Sequence, residues 1–434
     1  MSRRRRSVVI AIVVLVGLIG ALLIAKEAKH WIKVAYATTA PRSTDYPSAA
    51  QPDQVCLTWS GDPTTTQTVQ WRAAPSVTQG VVEYRKSAES EEHRLSATAQ
   101  STTIDDPLVS NDPSNRRFTA VLTGLEPATT YTYRVGDPAG NLWSDWHEFR
   151  TAPSEPGAFS FAYLGDVQVG WSAWGGLLRQ VVETQPQTAF FIIAGDLANR
   201  GNDRDDWDSF FGRTEGVFDS RPLLPVIGNH DCAKLAKPEM YLQFFALPEN
   251  GPPALTPERA YRLDYGNALF VVLDSNLSPV EQRSWLEEQL ADTSNTWRFV
   301  VYHHPAYSSA PHRNNKLVRE QWGDLFDRYH VDMVLQGHDH AYLRTPPMNN
   351  RHKVDSPAEG TIYVVAVSGS KYYPQEDRDY TAVGLEDTST YQIIDIQTEP
   401  TDTLTYRAYN QMGRVIDEVV IEKNDTTSTS TAGP

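Results

Sequence analysis

The chain has 434 residues, enough for two or three domains, and its 40% hydrophobic and 21% charged content is ordinary for a globular protein. Its formal net charge is −15 although its first 30 residues are basic, and such an acidic body argues against nonspecific nucleic-acid binding, which requires a basic patch. The two cysteines, Cys56 and Cys232, exclude a scaffold built on disulfides. They could form a single bridge or remain as two buried free thiols.

The amino-terminal end predicts a membrane anchor. Four arginines at positions 3–6 precede residues 7–25, which carry no charge and are almost entirely apolar. About twenty such residues span a bilayer as a helix, and the upstream arginines predict that this end stays in the cytoplasm while the rest is exported. A cleavable signal peptide, with a site at Ala35-Tyr36-Ala37, is the alternative. We therefore expect an anchor within residues 1–30, a stalk over 31–50 and an extracytoplasmic body.

Residues 51–152 have the pattern of an all-β sandwich. Short alternating segments such as Thr68-Val69-Gln70-Trp71 are separated by turn-rich pieces such as Asp137-Pro138-Ala139-Gly140. About 100 residues of this kind are typical of a β-sandwich. The segment at residues 125–131 resembles the tyrosine corner of fibronectin type III domains. We interpret this domain as a spacer without a ligand of its own.

Residues 158–422 have a different pattern, after a linker at 151–157 that is rich in Pro and Gly. Their strands are apolar on both faces, which indicates burial on both sides. Helical patterns lie between several of them, for example at 317–329. The sequence predicts an α/β domain with a central β-sandwich or mixed sheet flanked by helices. Residues 423–434 form a polar tail that buries nothing.

Polar side chains recur in this second domain where apolar runs end. Asp166, Asp196, Asn229, His303 and His338 each follow such a run by zero to three residues. Ligands of α/β domains gather at the carboxyl ends of strands, so we expect these side chains to converge. Carboxylate, amide and imidazole groups suit Zn, Mn or Fe rather than a thiolate site.

The ordered set of motifs resembles the calcineurin-like metallophosphoesterases and, within them, the purple acid phosphatases, which commonly carry a fibronectin-like amino-terminal domain. The resemblance covers about residues 50–420. The motifs are Gly165-Asp166-Val167-Gln168, Gly195-Asp196-Leu197-Ala198-Asn199, Gly228-Asn229-His230-Asp231, His303-His304-Pro305-Ala306-Tyr307 and Gly337-His338-Asp339-His340-Ala341-Tyr342-Leu343-Arg344.

The resemblance implies a site with two metal ions, Fe, Zn or Mn. Asp196 would bridge the two ions. The remaining ligands would be Asp166 and His340 for the first metal, and Asn229, His303 and His338 for the second.

The resemblance also implies a role for residues beside these ligands. His230 would face the phosphate and donate a hydrogen bond or a proton to the leaving oxygen, and Asp231 would orient it. His312 lies nine residues after His303, near where the family places a substrate-contacting histidine, although a surface histidine is nearly as good an interpretation. His304 would be a further metal ligand, an outer support or a substrate-facing residue.

Two positions depart from the family pattern. Asn199 replaces the tyrosine ligand whose bond to ferric iron gives purple acid phosphatases their colour. Gln168 occupies a position where many other metallophosphoesterases have a histidine ligand. Its amide could bind weakly or through water, or it could serve only in a turn. The first metal site is therefore expected to be poor in ligands.

The function that the resemblance implies is hydrolysis of phosphomonoesters, and the predicted export segment would place this reaction outside the cytoplasm. Two cations ~3.5–4 Å apart would present hydroxide to phosphorus and stabilise the phosphate oxygens, without a phospho-enzyme. The partners would be a phosphate ester and the membrane. One alternative is a phosphodiesterase acting on nucleotides or lipid head groups. Another is a surface binding protein whose metal site is structural.

Overall fold

The computed structural model describes residues 40–232 and 237–423. The predicted anchor at 7–25, the candidate cleavage site and the polar tail from residue 424 lie outside these ranges. Among the helices within them, none is both long enough and apolar enough to cross a membrane.

The first domain is a β-sandwich, as the alternating segments predict. Its strands are β1 Asp53–Thr58, β2 Gln67–Ala73, β3 Val81–Lys86, β4 Leu95–Thr98, β5 Gln100–Asp105, β6 Ser114–Leu122, β7 Thr130–Asp137, β8 Leu142–Trp143 and β9 His147–Arg150. One sheet has the order β1-β2-β6-β5 and the other β4-β3-β7-β8, with β9 paired to β7. The hydroxyl of Tyr131 accepts a hydrogen bond (2.9 Å) from the backbone N–H of Glu126, as in a tyrosine corner.

The second domain is an α/β sandwich of two mixed sheets. Its strands are β10 Phe159–Leu164, β11 Thr188–Ile193, β12 Leu223–Pro225, β13 Tyr261–Tyr265, β14 Ala268–Val272, β15 Trp297–Val301, β16 Met333–Gln336, β17 Tyr342–Arg344, β18 Met348–Asn349, β19 His352–Lys353, β20 Ile362–Val365, β21 Val383–Leu385, β22 Thr390–Gln397, β23 Asp402–Asn410 and β24 Val415–Lys423. The sheet orders are β12-β11-β10-β22-β23-β24 and β13-β14-β15-β16-β20-β17-β21, with β18 and β19 forming a separate hairpin.

Helices cover this sandwich. They are α1 Trp171–Thr184, α2 Arg204–Phe211, α3 Glu239–Phe244, α4 Pro279–Ala291 and α5 Lys316–Arg328. One 3₁₀ turn, Pro357–Glu359, also lies in this domain, and another, Glu91–His93, lies in the first domain. Phe161 and Phe190 on one sheet stack with their ring centroids 5.2 Å apart, and Phe270 of the other sheet meets Phe161 edge-on at the same distance. The interior between the two sheets is therefore a tightly packed aromatic core.

Strand β14 shows why the sequence is apolar on both faces. Phe270 packs into the core between the sheets, whereas its neighbour Val271 belongs to a second core shared with Trp285 of α4 and Trp322 of α5. Successive side chains of a strand point to opposite faces, so β14 contributes side chains to both cores. β10, β11 and β12 are parallel, as are β14, β15, β16 and β20, so the carboxyl ends within each run lie along one edge.

The two domains are joined by buried polar contacts. Arg72 of the first domain donates to Asp208 of α2 (2.7 Å), and Arg204 at the start of α2 donates to Asp112 of the first domain (2.9 Å). The Tyr133 hydroxyl donates to the carbonyl of Asp219 (2.6 Å). Through α2, the first domain therefore contacts the segment of the chain that follows Asp196.

Candidate metal centre

The predicted donors converge at the carboxyl ends of the strands. Asp166 follows β10, Asp196 follows β11 and His303 follows β15, and all three side chains are fully buried. One ligand atom from each lies within 4.8 Å of the others, a spacing at which they could hold one cation. The two carboxylates come from neighbouring strands and the imidazole from the opposing sheet, so the site lies where the ends of the two sheets meet.

One side of the centre contains His340 and Gln168. His340 Nε2 is 3.0 Å from Asp166 Oδ2, and its Nδ1 is 2.9 Å from the carbonyl of Lys371, which fixes Nε2 as the nitrogen facing the carboxylate. Gln168 Nε2 donates to Asp196 Oδ2 (3.0 Å) and lies 3.3 Å from His340 Nε2. The structure therefore places Gln168 beside the residues expected to bind the first metal, with its amide nitrogen rather than its oxygen facing Asp196 and His340.

The other side contains His303, Asn229 and His338. His303 Nε2 lies 3.1 Å from Asn229 Oδ1, 3.2 Å from His338 Nδ1 and 3.4 Å from Asp196 Oδ1. His303 Nδ1 donates to the carbonyl of Ala194 (2.9 Å), which leaves Nε2 for this cluster. Asp196 therefore lies beside both donor groups, where a bridging ligand must lie.

The electrostatics of these donors fit cations. Burial opposes the charge of His303, but the carboxylates of Asp196 and Asp166 outweigh it and raise the pKa of this imidazole to about 10. Burial and neighbouring His303 lower the pKa of His338 far below the ordinary value. Within the described part of the chain, Asp166 Oδ2 is buried and accepts no hydrogen bond, since the neutral His340 ring that donates from Nδ1 has no proton on the neighbouring Nε2. A bound cation would satisfy that oxygen, so these residues fit a metal centre.

Backbone geometry packs the donors closely. Asp196 (φ 56°), His338 (φ 75°) and His340 (φ 47°) adopt the left-handed conformation, which is uncommon for residues other than glycine and concentrates at functional sites. A Cβ on Gly195 would lie 2.4 Å from His303 Nδ1, and one on Gly337 would lie 2.4 Å from Asp166 Oδ1. These glycines are needed because side-chain donors occupy the space beside them.

His230 lies next to the second donor group, but its predicted support by Asp231 is wrong. His230 Nδ1 is 2.7 Å from the backbone carbonyl of Asn199, so that carbonyl orients the ring. The Asp231 carboxylate instead accepts from the backbone N–H groups of Ala198 (2.9 Å) and Gly228 (2.8 Å), and thereby joins two ligand-bearing loops. Burial and the charge of Asp196 raise the pKa of Asp231 to about 7.

His312 does not join the cluster. Its side chain is exposed, its φ is 62°, and no contact within the described residues connects it to the donors. The next residue, Arg313, does reach them: its guanidinium donates to the carbonyl of His338 and to Asp339 Oδ1, both at 2.9 Å. Arg313 was not among the predicted site residues, and the only sequence feature that pointed to it was its position next to His312.

His304 and the turn after β14 were also underestimated. The His304 ring lies 4.4 Å from that of His338 and 5.0 Å from that of His303, measured between centroids. Its Nδ1 is 2.9 Å from Ser275 Oγ. Ser275 belongs to Asp274-Ser275-Asn276, which follows the apolar run of β14 just as the ligand motifs follow theirs. The position of these three residues directly after an apolar run was the sequence signal that could have identified them.

Fold and donor set define a class of protein: the α/β metallophosphoesterases, with a dinuclear metal centre at the strand ends. The family model for "Calcineurin-like phosphoesterase" matches residues 159–342, and the family model for "Purple acid Phosphatase, N-terminal domain" matches residues 52–151. Residues 159–342 are thus a calcineurin-like phosphoesterase domain and residues 52–151 a purple acid phosphatase amino-terminal domain, as the motifs predict.

Known relatives agree with this assignment. "Purple acid phosphatase 15" of Arabidopsis thaliana is 29% identical over 283 residues, covering 57% of this chain and 52% of the relative. "Probable inactive purple acid phosphatase 1" of the same plant is 28% identical over 297 residues, covering 58% of this chain and 48% of the relative. The chain spans about half the length of these relatives. The solved purple acid phosphatase PPD1 of yellow lupin shares the fold, with a TM-score of 0.76, 19% identity and coverage of 88% of this chain and 76% of that one.

Proposed function

We propose that this chain hydrolyses phosphomonoesters at a dinuclear metal centre, in a catalytic domain held outside the cytoplasm. The observation that carries the proposal is the convergence of two donor groups on Asp196, which lies 3.4 Å from His303 on one side and 3.0 Å from Gln168 on the other. Asp166 and His340 would hold the first ion, and Asn229, His303 and His338 the second.

When bound, the two ions would activate water and neutralise the charge of the phosphate. The ligands of each ion are fixed by outer contacts such as the carbonyls of Ala194 and Lys371, so the donors are preorganised.

His230 suits the role of general acid. Its Nδ1–H donates to the carbonyl of Asn199, so Nε2 carries the second proton when the ring is an imidazolium. In that form Nε2 can protonate the leaving oxygen.

Two further points bear on substrate and location. "Phosphoenolpyruvate phosphatase" of Allium cepa, 29% identical over 256 residues, is named for a monoester, which supports the choice of monoesters over diesters for this chain. The extracytoplasmic location is supported by the basic end and the apolar run of residues 7–25. Cleavage of a carboxyl-terminal epitope by protease added outside intact cells would test it, and complete protection would contradict it.

The activity is tested on the metal-stripped full-length chain. Chromogenic phosphomonoesters and phosphodiesters are assayed with Zn, Mn or Fe restored, beside Asp196→Asn as the matched variant. Metal-dependent monoester turnover that Asp196→Asn abolishes is the expected result. A preference for diesters would favour the phosphodiesterase alternative. Binding of two ions without turnover of either ester would indicate a structural site in a binding protein.

A further inference from the structure

His304 belongs to a second group of potential ligands that the family assignment does not supply. One ligand atom from each of His303, His304 and His338 lies within 4.8 Å of the others. Three ligand atoms on one tetrahedral ion, with bonds of about 2.1 Å, are about 3.4 Å from one another. His303 Nε2 and His338 Nδ1 are already 3.2 Å apart, so a movement of His304 by no more than roughly 1.4 Å would place all three imidazoles on one cation.

Ser275 holds His304 in the orientation that coordination needs. Its Oγ lies 2.9 Å from His304 Nδ1 and accepts the backbone N–H of His304 at 2.9 Å. With Nδ1 occupied by this hydroxyl, Nε2 is the nitrogen left for a metal. Metal-bound histidines characteristically use one ring nitrogen for the ion and the other for such a hydrogen bond.

The same turn supports a second ligand. Asn276 Nδ2 donates to the carbonyls of Ile227 and Gly228, both at 3.3 Å, and these residues immediately precede Asn229. One three-residue turn thus fixes the positions of Asn229 and His304 together. A residue that only faced solvent or substrate would not need to share its support with a ligand.

The turn is itself anchored in the domain. Asp274 is fully buried, accepts the Arg259 Nε–H at 2.7 Å, and donates its backbone N–H to Gln282 Oε1 of α4 at 3.0 Å. Asp274 Oδ1 also accepts the backbone N–H of Asn276 (2.9 Å). These contacts keep the turn rigid, which is the condition for placing ligands accurately.

We propose that His304 is a ligand of the second metal, which gives that site three imidazoles, and that this site therefore binds zinc more tightly than the first. The inference rests on the dinuclear centre proposed above. The first group offers a single imidazole, His340, together with the carboxylate oxygens of Asp166 and Asp196, because Gln168 faces them with its amide nitrogen. Imidazole suits zinc whereas oxygen donors suit manganese or magnesium, so the two sites differ in both affinity and preference.

Metal affinity tests the inference without turnover. The full-length apo chain is titrated with Zn²⁺ against a chromogenic chelator, and two binding events of different affinity are expected. Ser275→Ala, which removes an outer support, should weaken the tighter event by about 10–100-fold. His304→Ala should weaken it further and change the visible spectrum of the Co²⁺-loaded protein. His352→Ala, at an exposed histidine of β19, is the matched control and should change neither.

The inference is overturned if His304→Ala leaves both affinities within about twofold while His338→Ala abolishes the tighter event. It is also overturned if His304→Ala weakens only the binding of inorganic phosphate. Thermal unfolding of each apo variant checks the fold. If His304→Ala does not fold, Ser275→Ala, which retains the ring, decides the question, and an unchanged affinity there overturns the inference. Failure of the phosphatase assay alone would leave these titrations unaffected.

Discussion

Gly228 offers a test of how closely the centre is packed. A Cβ built on this residue would lie 2.1 Å from the backbone nitrogen of Asp196 and 2.2 Å from its Oδ1. The φ of Gly228 lies outside the left-handed range, so an alanine there meets no backbone penalty and its effect comes from space alone. The obstructing atoms are a backbone group and the expected bridging carboxylate, neither of which can swing away.

The size of the effect follows from these distances. Non-bonded atoms in proteins settle roughly 3.5 Å apart, so Gly228→Ala must push Asp196 and the glycine loop apart by more than about 1 Å. A displacement of about 1 Å at a reacting centre can cost on the order of 100-fold in rate, or about 2.7 kcal/mol in the barrier. Overpacking in a buried site adds a loss of about 1–3 kcal/mol in the free energy of unfolding.

The assay compares Gly228→Ala with Gly323→Ala. Gly323 lies in α5, and a Cβ there would meet nothing within 4 Å, so its alanine variant should keep its rate and gain about 0.5–1 kcal/mol of stability. Initial rates on a chromogenic phosphomonoester at saturating metal, bound metal per chain and thermal unfolding are measured for both. A Gly228→Ala variant that binds two ions and retains at least about half the rate would refute the packing argument.

Two further changes probe the metal ligands and the pH dependence of stability. Gln168→His puts an imidazole beside His340 and should tighten the first metal by about tenfold, equivalent to ~1.4 kcal/mol, in an equilibrium titration; unchanged affinity would show that position 168 does not reach the ion. Burial raises the pKa of Glu258 to about 7, although its carboxylate accepts the Leu247 N–H at 2.8 Å. Because the folded-state pKa exceeds the unfolded one, the folded chain binds more protons, and the free energy of unfolding falls as pH rises from about 4.5 to 7. Glu258→Gln should therefore gain on the order of 1–3 kcal/mol relative to the parent between pH 5 and pH 8 in urea unfolding. The exposed Glu422→Gln should show no such difference, and an equal effect of Glu258→Gln at both pH values would contradict the assignment.

The strands of the second domain could be predicted because a strand that is buried on both faces is a run of consecutive apolar residues. In β14 the run is five consecutive buried apolar residues, and the helical pattern at 317–329 differs from α5 by one residue at each end. The order of the strands has no such sequence pattern. β22 pairs with β10, and Ile394 lies opposite Phe161, more than 230 residues away in the chain. Nothing in the sequence of either strand indicates which strand it pairs with. Pairing is decided by which apolar faces meet in the assembled core, not by local periodicity.

The site shows the same division between local and assembled features. The ligand candidates could be found because each follows its own strand, and strand ends converge by topology. The group that orients His230 could not be predicted from the sequence, because it is the backbone carbonyl of Asn199. Every residue has such a carbonyl, so the sequence does not indicate which one makes the contact. Arg313 rather than His312 reaches the donors because the loop turns at His312, with φ 62°, and spacing along the chain cannot anticipate that turn.

Position 199 contributes to the site through its backbone rather than through its side chain. The backbone carbonyl of Asn199 orients His230, and this contact does not involve the Asn199 side chain. The side chain has lost the phenolate that would bind ferric iron and produce the purple colour. Gln168 leaves the same side of the centre without a second imidazole. Both departures would weaken binding of the first metal, whereas the donors around His303 and the carbonyl that orients His230 are present. Ferric loading should therefore give no purple band even in protein that turns over substrate with a divalent pair of ions, and a band of full intensity would mean that another phenolate reaches the first site.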